Sequence, residues 1–300
     1  MIRTRIKNDI MCAIIEHDIK NTIEDVADLC ELQHEFLNNS CKYLIFEFTV
    51  CNTLNAAVSI IIGTLPQYVR IYGKPVKYTF SGQSNHPVLQ FMKDVGMYKY
   101  YTNKDIDYTG IDVIPFNRIE DEKMMKEYAD RIMELAPIRM QKEAQDILTS
   151  YIYEIYQNSL FHAKSSIGVF TSGKWDKQKK EFIFSIYDMG IGIPMSVRSY
   201  MKNLDIDSKK CLQIAFIDGF STNTCPEINR GLGLTRIERF IRLNKGHMSI
   251  YTEDACCVIE EEKAKMFYKL KKPIKGTLII INIAADEKNI YIVEKENKHE

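Results

Sequence analysis

Apolar positions along the chain alternate between helical and strand spacing in a readable order. Ile23, Val26, Leu29, Cys30 and Phe36 recur at helical intervals, and the first forty residues as a whole read as helical and polar. The run YLIFEFTV (43–50), aromatic and β-branched, predicts a strand. A helix over 56–72 stops at Gly73-Lys74-Pro75, and VKYTF (76–80) predicts a second strand. Asn85-His86-Pro87 opens a short helix that ends near Gly96. This strand–helix–strand–helix order predicts a small α/β domain over residues 1–115.

From Phe116 the pattern changes. Residues 117–145 read as charged and helical, with Met124, Tyr128, Ile132 and Leu135 on one side and Pro137 as a break. A second helix is expected from Met140 to Ala163. Strands are expected at 166–171 and 181–187, joined by a polar hairpin loop, SGKWDKQKK. A Gly-rich turn, a helical segment, another Gly-rich turn, a helix over 234–243 and strands near 247–252 and 277–284 complete a second domain, 116–300.

Charge and composition narrow the classes. The 300 residues carry 40 Lys+Arg and 40 Asp+Glu, so the net charge is zero, which argues against coating nucleic acid or anionic lipid. No apolar run approaches the roughly 18 residues that span a bilayer. The N-terminal stretch carries Glu16 and Asp18 and lacks the apolar core of a signal peptide. The 8 cysteines form no Cys-x-x-Cys pair, and adjacent Cys256 and Cys257 have no partner motif for redox chemistry. Reduced thiols and a cytoplasmic location are the expectation.

Four short motifs carry candidate chemistry. Glu154 and Asn158 stand four apart on the second long helix and share a face, with His162 continuing it. A carboxylate beside a carboxamide suits a magnesium–phosphate site, because magnesium takes oxygen ligands and keeps several waters. A glutamate there can also deprotonate an attacking hydroxyl or water. Asp188-Met-Gly190-Ile-Gly192 follows a strand; an ionised Asp only accepts hydrogen bonds, so it favours adenine's amine over guanine's carbonyl. Arg230-Gly231-Leu232-Gly233 leads into a helix whose free N–H groups suit phosphate oxygens. Gly276-Thr277 opens the last strand, where a hydroxyl can join the adenine edge.

In this order, E-x-x-x-N, D-x-G-x-G, G-L-G-L and G-T resemble the GHKL (Bergerat-fold) ATPase family, over about residues 120–285. That family includes histidine kinases, anti-sigma-factor serine kinases and DNA gyrase. The resemblance implies an α/β two-layer sandwich, a mixed sheet with helices on one face. It implies ATP and Mg2+ as cofactors, Asn158 on magnesium and Glu154 as the catalytic base. Asp188 would take the adenine amino group above Gly190 and Gly192, with Thr277 in support. Arg230 and the amides of Gly231, Leu232 and Gly233 would meet the phosphates, and Phe220-Ser221-Thr222-Asn223 would begin a nucleotide lid.

EIYQNSLFHA (154–163) looks most like the anti-sigma-kinase and histidine-kinase side of the family. An ATPase or protein kinase in regulatory signalling is implied, acting on a protein partner or phospho-acceptor, with a homodimer compatible. The alternative is a nucleotide-gated interaction module with little turnover. His34 reads as a solvated helix residue rather than a phospho-acceptor. Residues 41–101 resemble STAS domains in element order, departing from that family's Asp-Ser-Ser-Gly at Cys51-Asn52-Thr53-Leu54-Asn55.

Overall fold

The structure is a computed structural model, and it describes residues 2–80, 85–102, 112–135, 142–176, 179–220 and 233–284. Two sheets organise these residues. The N-terminal sheet has the strand order β1 (Ile2–Lys7), β2 (Ile10–Ile15), β3 (Tyr43–Phe48), β4 (Val76–Phe80). β1 and β2 are antiparallel, whereas β2–β3 and β3–β4 are parallel. The parallel crossovers are made by α1 (Ile23–Leu37) and α2 (Ser59–Arg70). Thr22 caps α1 by accepting the N–H of Asp25. The short helices α3 (Pro87–Asp94) and α4 (Met97–Thr102) follow β4.

The β1–β2 hairpin corrects the helical reading of the first residues. Lys7 pairs with Ile10, so Asn8 and Asp9 alone make the turn, at φ 50° and 62°. A two-residue turn of that handedness matches the twist of its strands, and Asn and Asp tolerate it best after Gly.

The second sheet has the order β5 (Val113–Ile119), β6 (Val169–Asp176), β7 (Glu181–Asp188), β9 (Met266–Ala284), β8 (His247–Glu260). Every neighbouring pair in it is antiparallel, so the expected mixed sheet is found in the N-terminal half instead. β5 falls where a domain end and then a helix are expected. Pro115 disguises it, but β5 is an edge strand, and a register shift between Ile114 and Asn117 accommodates the residue that cannot donate. β6 also runs on to Asp176, through much of the expected loop.

Helices α5 (Glu122–Leu135), α6 (Lys142–Gln157) and α9 (Gly233–Leu243) cover one face of this sheet. Leu148, Ile152, Ile155, Ile237, Phe240 and Ile241 pack there against Phe182, Phe184, Ile279 and Ile281. The other face is covered too, contrary to the one-faced arrangement expected. Val26, Leu29, Phe36, Ile61 and Leu65 of α1 and α2 share a core with Phe170, Tyr187, Leu278 and Ile280. Strand alternation sends successive residues of β7 and of the second half of β9 to opposite cores, so the stretches 182–187 and 278–283 are mostly apolar.

An aromatic seam joins the two halves. Phe116 on β5 stacks on Phe170 at 5.4 Å and meets Tyr100 edge-on at 5.2 Å. Tyr101 stacks beside Phe116 and donates its hydroxyl to the Gly63 carbonyl on α2. A Cβ on Gly63 would lie 2.6 Å from the Phe116 ring, so the glycine admits the ring. Among the described residues, no helix is long and apolar enough to cross a membrane.

Candidate functional site

The best-formed polar cluster lies where β7 ends. Asp188, Thr277 and Thr252 are register partners across β7, β9 and β8. Alternation turns all three toward the helix-covered face, since Ile186, Ile279 and Ile250 belong to that core. All are buried, Asp188 to 1% exposure. Asp188 Oδ1 accepts the Gly190 N–H at 2.9 Å. Thr252 Oγ1 donates to the Gly276 carbonyl, accepts the Ile193 N–H at 3.1 Å and lies 3.3 Å from Thr277 Oγ1. Burial lifts the Asp188 carboxyl from its ordinary 3.8 to about 7, against the opposing pull of the Gly190 and Thr277 backbone and of Lys275.

Glycines let three chain segments meet here. A Cβ on Gly190 would stand 1.9 Å from the Ala163 carbonyl oxygen, which also accepts the Ile191 N–H at 2.7 Å. Gly276 has φ 83°, and a Cβ there would stand 1.9 Å from the Asp188 carbonyl oxygen. Gly192 has φ 77° and starts α7 (Gly192–Met201) over Thr252. The close approach at Gly190 and Gly192 is thus taken up by the protein's own chain.

Ala163 closes a π-helical turn, Asn158–His162, that continues α6. Asn158 is exposed and Glu154 is half-buried. The wider π turn ends the α-helical face count at Asn158; the His162 side chain lies outside the described residues. Tyr156, fully buried, hydrogen-bonds Thr171 at 2.8 Å and fixes the seat of α6 on β6. The C-terminal end of α6 therefore lies at the Asp188 end of the sheet.

The Gly-rich segment leads into α9 (Gly233–Leu243). α9 packs on β8 and α6, and its exit at Gly246 abuts the Asn282 carbonyl, at the far end of the sheet. Gly231, Leu232, Arg230, Ser221 and Thr222 lie outside the described residues. α8 (Ser208–Ala215) follows α7. Arg198 of α7 grips both oxygens of Glu253 at 3.0 and 2.9 Å and reaches Ser208 of α8, tying both helices to the strand just beyond Thr252.

Thr252 carries no sequence signal, because a threonine at the end of an apolar run is common. The same is true of Ala163, whose carbonyl does the work. Cys256 and Cys257 are buried on opposite faces of β8, and burial pushes both thiols up to about 12, far from thiolate reactivity. His34 sits on α1 beside Asn38, which donates to the His34 carbonyl. Among the described residues no cluster of His, Cys, Asp and Glu forms a metal cage; the magnesium expectation rests on one Asn and on phosphate oxygens. No family model matches the chain, and no curated protein is significantly similar to it.

Proposed function

We propose that residues 113–284 are a GHKL-type nucleotide-binding unit that takes Mg-ATP and acts as an ATPase or protein kinase in regulatory signalling. The observation that carries this reading is the convergence at one end of the sheet. Buried Asp188, Thr277 and Thr252 lie there, and Ala163, just after the Glu154–Asn158 end of α6, closes on Gly190 beside them. The donor set fits an adenine edge: a carboxylate to accept the amine and threonine hydroxyls beside it. The enclosed position strengthens such a contact, because little water competes.

In this reading Asp188 selects adenine and the N–H groups at Gly233 hold phosphate. Asn158, exposed at the end of α6, supplies one oxygen to magnesium. ATP when bound supplies the phosphoryl group; Glu154 accepts the proton of the attacking water or hydroxyl. The N-terminal half, STAS-like in element order, serves as the regulatory or interaction unit.

The test is equilibrium binding of ATP and GTP with magnesium, followed by turnover with labelled ATP. Binding selective for ATP is expected, with turnover that falls about 100-fold or more in Glu154→Ala while affinity is kept. A wild-type chain that binds no ATP would sink the reading. Binding without turnover in both proteins would replace the enzyme with a nucleotide-gated interaction module. Label kept on protein indicates a kinase, and label released as phosphate an ATPase.

A further inference from the structure

A buried amide costs free energy unless both of its polar atoms are paired. Gln33, on α1, is 1% exposed and has both paired. Its Nε2 donates to the Tyr187 hydroxyl at 2.8 Å, and its Oε1 accepts the Lys275 N–H at 2.8 Å. The Tyr187 hydroxyl donates in turn to the Lys275 carbonyl at 2.9 Å. Three residues from three elements thus close a ring of hydrogen bonds, and one of them belongs to the N-terminal half.

The ring lies directly behind the proposed nucleotide site. Tyr187 precedes Asp188, and Lys275 leads into Gly276 and Thr277. Tyr187 faces α1 while Asp188 faces the helix-covered side, so Gln33 grips the back of the strand end whose front carries the carboxylate. The contact between Gly276 and the Asp188 carbonyl leaves little slack between them. A shift of Lys275 is therefore passed to the Asp188–Thr277 pair. Gln33, Lys275 and Gly276 also line an open groove of about 590 Å³ between the halves, together with His34, Tyr72 and Met195.

Adhesion alone does not call for an amide here. Leu29, Leu32 and Phe36 already pack α1 into the core, so what is particular to the amide is that it pairs at once with the Lys275 N–H and the Tyr187 hydroxyl. What the amide adds is register, because a satisfied buried network permits one arrangement. We infer that Gln33 is a positioning residue for the Asp188–Thr277 site, through which the N-terminal half sets nucleotide affinity. This rests on the nucleotide-binding reading above.

The experiment uses the full chain and compares wild type with Gln33→Met, Tyr187→Phe and Leu29→Ala. Gln33→Met keeps length and loses both bonds; Tyr187→Phe loses one hydroxyl; Leu29→Ala loosens the same helix without touching the ring. ATP affinity about tenfold weaker in Gln33→Met is expected, with a reduced ATP-over-GTP preference. Tyr187→Phe should move both in the same direction by less. Leu29→Ala should lower thermal stability and leave affinity and preference as in wild type. Wild-type affinity and preference in Gln33→Met would overturn the inference, and so would an equal loss in Leu29→Ala. If Gln33→Met does not fold, unchanged binding in Tyr187→Phe overturns it alone. A wild type that binds ATP with both variants unaffected refutes the role of Gln33 only; a wild type that binds none refutes the site itself.

Discussion

The two faces of the five-stranded sheet are buried by different means. One face is covered by α5, α6 and α9, helices that belong to the same half of the chain. The other is covered by α1 and α2, which the chain makes before the first strand of this sheet. Both interiors are apolar, but their polar exceptions differ. On the helix face Asp188, Thr252 and Thr277 form a row at the strand ends, where other chain ends converge. On the opposite face Gln33, Tyr187 and Lys275 form a closed ring of hydrogen bonds. The contrast teaches that one strand end is held in two ways: its front carries a buried acid and two hydroxyls, and its back is clamped by the other half of the molecule.

Deleting the aromatic seam is the strongest way to break this comparison. Phe170→Ala removes a fully buried ring that both Phe116 and Tyr100 contact. A loss of about 3–5 kcal/mol is expected in urea denaturation. A single transition, followed by probes in both halves, should persist, since one core spans them. Two separated transitions would mean that the far face is a mere contact between independent units.

Asp188→Asn addresses the front of the strand end with a smaller effect. The native carboxyl sits at about 7 against an ordinary 3.8, so the folded state binds this proton more tightly than the unfolded chain. Its stabilising contribution is complete below the ordinary value and is lost as pH rises through about 7. Denaturation at pH 8 should find nucleotide-free Asp188→Asn more stable than wild type by on the order of 2 kcal/mol, with the gap closing by pH 4. In the nucleotide-binding reading, ATP binding should weaken in the variant most clearly above pH 7, where the wild-type carboxyl is ionised. A gap that does not change with pH would remove the buried carboxyl from the account.

Thr252→Val probes the row with the least effect. It leaves the Ile193 N–H and the Gly276 carbonyl without their hydroxyl partner, for about 1–2 kcal/mol. An unaltered melting temperature would show that the start of α7 is held by other means.

Much of the second half was legible because its signals are local. The helical stripes of α6 and α9, the apolar runs of β7 and β9 and the paired glycines all depend on neighbours within a turn or a strand. The first hairpin was not legible. Ile2, Ile6, Ile10 and Ile14 stand four apart, as on a helix, and only the Asn8-Asp9 turn and the pairing with β3 decide for strands. β5 was hidden by Pro115 and is identified by its partner β6. The sequence also located Asp188 and Thr277 but did not place Thr252 beside them.

By itself, the sequence determined which segments are apolar, where glycine frees the backbone and which residues carry acid, amide and hydroxyl chemistry, because these are properties of residues and their near neighbours. Only the tertiary structure decided that Thr277 pairs with Asp188, that Ala163 closes on Gly190 and that Gln33 reaches the back of β7. Those contacts join positions up to 242 residues apart. No local periodicity encodes them; they follow from which faces must be buried together.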